Sequence, residues 1–217
     1  GRIVIVHNGI VENYLSLKEE LVSEGVVFKS ETDTETIAHL IEIFYNETND
    51  LTAAVQKALK MIKGAHGLVV MSTVEPEKLI AARLGNAGGV ALGIGENEMF
   101  IASDIPAIMG HTRKIVFLES GQFAIVRRDG FSIHDLEGNP VNSEIQNIPW
   151  DPIFAEKGKY RHFMQKEIHE QVRSLSDTLS GRVDFQDYQI ILPGLNLNKE
   201  KAQKIKKIFI TACGTAA

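Results

Sequence analysis

Apolar positions along the first half of the chain fall into two periods. Residues 2–6 (Arg-Ile-Val-Ile-Val) form a β-branched run, which predicts a buried strand. Tyr14, Leu17 and Leu21 then recur at i, i+3 and i+7, one face of a helix. Asn13, or Ser16 with Glu19 as a capping box, would start that helix and Gly25 would end it. Val26 to Lys29 reads as a second strand. Thr32 and Glu35 have capping-box spacing and open a helix that buries Ile37, Leu40, Ile41 and Phe44. A third helix, from about Leu51 to Ile62, turns Val55, Ala58, Leu59 and Ile62 inward and stops at Gly64.

From residue 67 the period shortens to two. Strands are predicted at 67–73, 79–83, 90–94, 99–102, 114–118, 122–127 and 131–134, separated by Gly, Asn and Asp turns. Helices grouped apart from a block of strands predict an α+β fold rather than an alternating parallel sheet. Asn139-Pro140 and Trp150-Asp151-Pro152 break the pattern, and a domain boundary is placed near residue 158. Beyond it a long helix, 160–179, carries Met164, Ile168, Val172, Leu175 and Leu179 on one side. Residues 184–198 are irregular, 199–206 form a short basic helix, 207–211 an apolar strand, and Cys213-Gly214-Thr215 turns out of its end.

Composition narrows the function classes. Of 217 residues, 44% are hydrophobic and 24% charged, ordinary for a globular protein, and the net charge is −5. Nucleic-acid binding would need a basic stripe, and the lysine-dense stretches 57–63 and 199–207 read instead as solvated helix faces. No apolar run approaches the roughly 20 residues of a membrane span, and no signal-peptide pattern opens the chain. Cys213 is the single cysteine, which excludes an intrachain disulfide and agrees with a reducing cytoplasm. The chain starts inside a strand without an initiator Met and stops just after one, so both ends read as cut.

Three places carry candidate chemistry. Asn8-Gly9 is a strong hairpin-turn signal, or else a side-chain amide and an unshielded backbone N–H converging as an oxyanion hole. Asp33 is an acid in the first turn of a helix, favoured there by the macrodipole, or a carboxylate that grips an ammonium group. Cys213 is a small buried hydrophobe or a nucleophile, and its loop with Gly214 and Thr215, after a strand, has the look of a phosphate cradle. The seven histidines are scattered. His162 and His169 share a helix face, but no spacing supports a metal, and Gly88-Gly89 and Gly93-Ile94-Gly95 read as turns between strands.

Longer segments carry a resemblance. Val6-His7-Asn8-Gly9-Ile10-Val11-Glu12-Asn13 resembles the oxyanion-hole segment of type 2 glutamine amidotransferases, whose nucleophile is an N-terminal Cys. Ser30-Glu31-Thr32-Asp33-Thr34-Glu35 with Ile37-Ala38-His39-Leu40 is similar to the family's substrate-gripping helix start. Phe100-Ile101-Ala102-Ser103-Asp104 and His111-Thr112-Arg113 match a later stretch. Tyr160 to Gln171, and then Ala212-Cys213-Gly214-Thr215, resemble the domain junction and first sugar loop of the glutamine–fructose-6-phosphate aminotransferase family.

The resemblance implies a four-layer αββα N-terminal-nucleophile domain over residues 1–158. Residues 159–217 would be a linker and the opening helix and strand of a doubly wound sugar isomerase domain. It implies an oxyanion hole at Asn8 (side chain) and Gly9 (N–H), a partner for glutamine's α-ammonium at Asp33, and a sugar-phosphate loop at Cys213, Gly214 and Thr215. The expected substrates are glutamine and fructose 6-phosphate, and the product glucosamine 6-phosphate. No metal or organic cofactor, nucleic acid or membrane is implied, and the full-length protein is expected to be a cytoplasmic homo-oligomer. The family's Cys nucleophile is not among these residues, so this stretch by itself is expected to be inactive. Ala216 and Val172 stand where the family often has Ser and Pro. The rival readings are an amidophosphoribosyltransferase-like enzyme and a non-enzymatic binding module built on the glutaminase fold.

Overall fold

The computed structural model describes residues 1–86, 88–149, 158–184, 189–191, 194–195 and 199–209. The chain divides into two compact units, Gly1–Glu156 and Lys157–Ala217.

The first unit is built on two antiparallel sheets. One has five strands in the order β1 (Ile3–Gly9), β2 (His66–Ser72), β3 (Lys78–Leu84), β7 (Gln122–Arg127) and β8 (Gly130–Asp135). The other runs β5 (Met99–Ala102), β4 (Ala91–Ile94), β6 (Lys114–Phe117) and β9 (Gln146–Asn147). Helices α1 (Tyr14–Ser23), α2 (Asp33–Thr48) and α3 (Leu51–Met61) cover the outer face of the five-stranded sheet. The predicted inward residues Leu17, Leu21, Ile37, Leu40, Ile41, Val55, Ala58 and Leu59 are all buried there, against Leu68, Val70, Ile80 and Phe123 from the strands. Each Leu or Ile so buried contributes about 1.5–3 kcal/mol, which makes this helix-on-sheet layer the main core.

Strand alternation sends the next residues to the opposite face. Ala81, Ala124, Val126 and Ile133 meet Val90, Leu92, Val116 and Leu118 of the second sheet in a core between the sheets. Small side chains at Ala81 and Ala124 let the two sheets approach. The outer face of the second sheet is a smaller patch, with Ala91, Ile105, Ile108, Met109, Ile115 and Ile148. Among the described residues a single 3-10 turn, Ile105–Ala107, covers it where the expected αββα arrangement would put a helical layer.

Local signals fail at four places. Asn8-Gly9 does not turn: both residues stay in the ladder, Asn8 opposite Gly67 and Gly9 opposite His66. Val26 to Lys29 forms no strand. It leaves α1 through the bond from the Val26 N–H to the Leu21 carbonyl, and Phe28 packs edge-on to His39 of α2, 4.8 Å between ring centroids. A short β-prone run becomes a strand only beside another strand, and here the neighbours are helices. Asn13 sits at the α1 N-cap but spends its side chain elsewhere, donating to the Met61 carbonyl and accepting from the Lys63 N–H. The Thr32–Glu35 box is not made: the Thr32 side chain caps nothing, and the Glu35 carboxylate reaches past the Thr32 N–H to the Lys29 and Ser30 N–H groups at 2.7 and 2.6 Å.

The second unit contains α4 (Phe163–Leu179), a two-stranded ladder of β10 (Val183–Asp184) with β11 (Gln189–Ile190), and α5 (Lys199–Gln203). The predicted apolar side of α4, Met164, Ile168, Val172, Leu175 and Leu179, is exposed. Lys207 to Phe209, expected to begin a strand, has no ladder partner among the described residues, and Phe209 is 80% exposed. The rest of that predicted strand and the Cys213-Gly214-Thr215 loop lie outside the described residues.

Candidate active site

The chemistry-bearing residues of the first unit gather where β1 ends. Alternation along β1 turns Ile3 and Ile5 toward the helices and Val4, Val6 and Asn8 toward the second sheet. Asn8 therefore lines a cavity of about 110 Å³ between the sheets, with Val6, Val69, Val90, Ile101 and Ser103. Its side chain makes no hydrogen bond to the described residues, so its amide is available to a ligand.

Gly9 has φ +138°, and a Cβ there would lie 2.2 Å from the Ala65 carbonyl oxygen. Only glycine fits this approach. The loop above the site has the same demand. A Cβ on Gly89 would come 2.7 Å from the Ser103 carbonyl oxygen, and one on Gly88 would sit 3.9 Å from the Asn8 Cβ. Of the pair Gly88-Gly89, which reads in sequence as a simple turn, Gly89 lines the same cavity as Asn8 and has no room for a side chain, while Gly88 lies in ordinary contact range of Asn8.

Asp33 opens α2. Its Oδ2 accepts the Val11 N–H at 2.7 Å, two residues beyond Gly9. Oδ1 accepts nothing from the described residues and remains free for a cationic group. Asn8, Gly9 and Asp33 are thus brought to one strand end. The loop 10–13 between them is braced from the far side, where the Glu12 N–H donates to the Lys63 carbonyl at 2.9 Å.

Two residues that sequence reasoning left among scattered histidines belong to this neighbourhood. His7 Nδ1 lies 2.9 Å from Thr34 Oγ1, and His7 Nε2 lies 3.0 Å from His66 Nδ1. His66 Nε2 is 3.1 Å from the Lys63 carbonyl oxygen, and His66 is fully buried. Both imidazoles titrate below their ordinary range. For His7 the causes are burial and then the neighbouring His66, opposed by Asp33. For His66 the cause is burial, opposed by the Lys63 carbonyl, Asp33 and Glu12. His7 was visible as part of the Asn-Gly segment. His66 carries no local signal, because only the β1–β2 register sets it opposite Gly9.

Glu35 fixes the approach to α2. Hydrogen bonds from the Ser30 hydroxyl and the Lys29 N–H hold its carboxyl down to about 2. Among the described residues no cluster of three or more His, Cys, Asp or Glu could hold a metal ion, and no helix is long and apolar enough to cross a membrane.

Paired antiparallel sheets with helices outside, and an amide-bearing strand end facing the cleft between them, define the α+β architecture of N-terminal-nucleophile amidotransferases. Solved structures agree. A glutamine phosphoribosylpyrophosphate amidotransferase from B. subtilis superposes with a TM-score of 0.56 at 26% identity, covering 64% of this chain and 30% of that one. A structure described as the allosteric regulatory enzyme of purine biosynthesis gives 0.53, also at 26% identity, covering 62% and 28%.

The chain belongs to the glutamine amidotransferase domain family, whose model matches residues 1–110. Among curated proteins it is 47% identical over 216 residues to a glutamine–fructose-6-phosphate aminotransferase (isomerizing) of Caldanaerobacter subterraneus subsp. tengcongensis. It is 44% identical over 216 residues to the protein of that name from Clostridium tetani, and 45% to that of Aquifex aeolicus. Each match takes in the whole of this chain but 35%, 35% and 34% of the relative, so the chain spans about a third of these proteins.

Proposed function

We propose that this chain is the glutamine-hydrolysing part of an enzyme that transfers ammonia from glutamine to fructose 6-phosphate and isomerises the product to glucosamine 6-phosphate, the first step of amino-sugar nucleotide synthesis. The observation that carries the reading is the strand end itself. Asn8 with a free amide, a Gly9 that tolerates no side chain, and Asp33 with one free carboxylate oxygen stand together. They do so in a chain 44–47% identical to such enzymes across its whole length.

In this reading Asp33 Oδ1 holds the α-ammonium of glutamine, and the side-chain amide of glutamine enters the cleft beside Asn8. A cysteine thiolate outside these residues attacks the amide carbon. The carbonyl π electrons move onto oxygen, and the Asn8 amide and the Gly9 N–H donate hydrogen bonds to that oxyanion. As the intermediate collapses, the proton that the thiol gave up to the cysteine's own α-amine passes to the leaving nitrogen, which departs as ammonia, and water then cleaves the thioester to glutamate and the free thiol. Each oxyanion donor is worth about 10²–10³ in rate. Without the thiol, residues 1–217 hydrolyse no glutamine.

We assign residues 1–158 to the glutaminase domain and 159–217 to a linker and the start of a sugar isomerase domain. Cys213, Gly214 and Thr215 would then lie in the loop that takes the sugar phosphate. The full-length protein in this reading is a cytoplasmic homo-oligomer. The match of residues 159–217 to the aminotransferases favours fructose 6-phosphate as acceptor over a phosphoribosyl group.

The test uses the natural full-length protein with glutamine and either fructose 6-phosphate or phosphoribosyl pyrophosphate. Glutamate and glucosamine 6-phosphate should appear with the first, and Asn8→Ala should lower kcat about 10²–10³-fold. Product only with the second acceptor, or an unaffected Asn8→Ala variant, refutes the assignment.

A further inference from the structure

We propose that His7 and His66 form a positioning pair for glutamine hydrolysis, a one-directional hydrogen-bond relay that locks the strand end carrying Asn8-Gly9 to the helix start carrying Asp33. The proposal rests on the glutamine reading above and adds two residues that this reading does not use.

The direction follows from a single fixed acceptor. The Lys63 carbonyl can only accept, so His66 Nε2 carries the hydrogen. In a neutral ring that leaves His66 Nδ1 as an acceptor, and His7 Nε2–H donates to it. His7 Nδ1 is then an acceptor as well, and the Thr34 hydroxyl donates to it. Every polar atom of both rings is satisfied with both rings neutral. The environment supports that state, since burial opposes a charge on each ring and the neighbouring His66 further opposes one on His7.

What the relay touches makes it more than packing. His7 precedes Asn8 on β1. His66 is the cross-strand partner of Gly9. Thr34 follows Asp33 on α2. Each end and the middle of the relay is therefore one covalent link or one ladder rung from a proposed substrate-binding residue. The backbone is shaped to admit the rings. A Cβ on Gly64, at φ +117°, would lie 2.5 Å from the Ile10 carbonyl oxygen and 3.3 Å from His66 Nε2. With the bond from the Val11 N–H to Asp33, the relay ties the chain to the start of α2 both before and after the Asn8-Gly9 pair.

Among the described residues the hydrogen bonds link Thr34 to His66 only through His7, which gives a test that an independent structural role would fail. Glutaminase kcat/KM is measured for the natural full-length protein and for Thr34→Val, His66→Phe, the double variant and Thr34→Ser. Each single variant is expected to lose about tenfold, and the double variant no more than the worse single, because cutting one relay twice adds nothing. Thr34→Ser should return to within about twofold of the unsubstituted protein. Losses that multiply to about a hundredfold in the double variant, or singles that match the unsubstituted protein, overturn the proposal. If His66→Phe does not fold, the comparison of Thr34→Val with Thr34→Ser decides it, with equal activities counting against the relay. An unsubstituted protein that makes no glutamate instead overturns the glutamine reading, and the pair's role in catalysis falls with it.

Discussion

Asp33 is asked to do two things at once, and the two separate by substitution. Its Oδ2 accepts the N–H of Val11, a residue with no exposed surface, at 2.7 Å. Asp33→Ala leaves that donor buried and unpaired, which costs about 1–3 kcal/mol. Asp33→Asn keeps a carbonyl oxygen at the same reach and exchanges a charged acceptor for a neutral one, a loss of about 1 kcal/mol or less. Toward glutamine the two variants should behave alike, since both remove the negative charge from the ammonium site. A hydrogen bond to a charged group is worth about 1.5–3 kcal/mol, so KM for glutamine should rise roughly 10–150-fold in either. Urea unfolding followed by circular dichroism reads the first effect, and glutaminase kinetics of the full-length protein the second. Equal destabilisation by Asn and Ala would refute the Val11 argument. An unchanged glutamine KM in either variant would refute the ammonium assignment.

Three further outcomes follow from single contacts. Gly9→Ala puts a Cβ 2.2 Å from the Ala65 carbonyl oxygen at φ +138°, and should lower the unfolding free energy by at least ~2 kcal/mol. Gly110→Ala, where nothing lies within 4 Å of the new Cβ, should stay within about 0.5 kcal/mol, and equal urea midpoints for the two would contradict the steric account. Glu35 has its carboxyl held down to about 2, so its contribution is complete above the ordinary carboxylate range and fades as pH falls from about 4.5 toward 2. Urea midpoints of the unsubstituted protein and Glu35→Gln should therefore differ at pH 7 and converge near pH 2, and a constant difference would count against it. Lys78, 6% exposed, is 2.6 Å from Glu75 and 3.1 Å from Asp50. Lys78→Met leaves the two carboxylates without their shared cation and should cost about 1–3 kcal/mol at pH 7, and less at about pH 2, below the usual carboxylate range. A loss that does not shrink on acidification would show that the charges are not its source.

The helices were legible because burial follows a period of 3.6. Leu17, Leu21, Ile37, Leu40, Ile41, Val55, Ala58 and Leu59 all face the sheet as the spacing predicts. Strands β5 and β7 begin and end where turn residues bound them. What failed needed long-range information. Val26 to Lys29 is an apolar run that reads like a strand but lies against helices, and Asn8-Gly9 has hairpin chemistry yet is held straight by pairing with Gly67 and His66. The candidate site was legible only as far as longer motifs reached. Asn8, Gly9 and Asp33 each had an ordinary structural reading, and the resemblance of their segments singled them out. His66 and the Gly88-Gly89 pair were not legible, because their roles depend on which residue stands across a ladder or a cleft. On α4 the apolar side was read correctly as a helix face, but periodicity does not say what a face meets, and the described structure leaves it exposed.

The central claim is that glutamine is bound at the end of β1 and attacked by a cysteine from outside these residues. An electrophilic glutamine analogue, reacted with the natural full-length protein and located by peptide mass mapping, tests it most directly. The account predicts one adduct, on a cysteine other than Cys213, blocked by excess glutamine and formed at least about tenfold more slowly at low reagent in Asp33→Ala. An adduct on Cys213, or labelling that neither glutamine nor the Asp33 substitution affects, would contradict it.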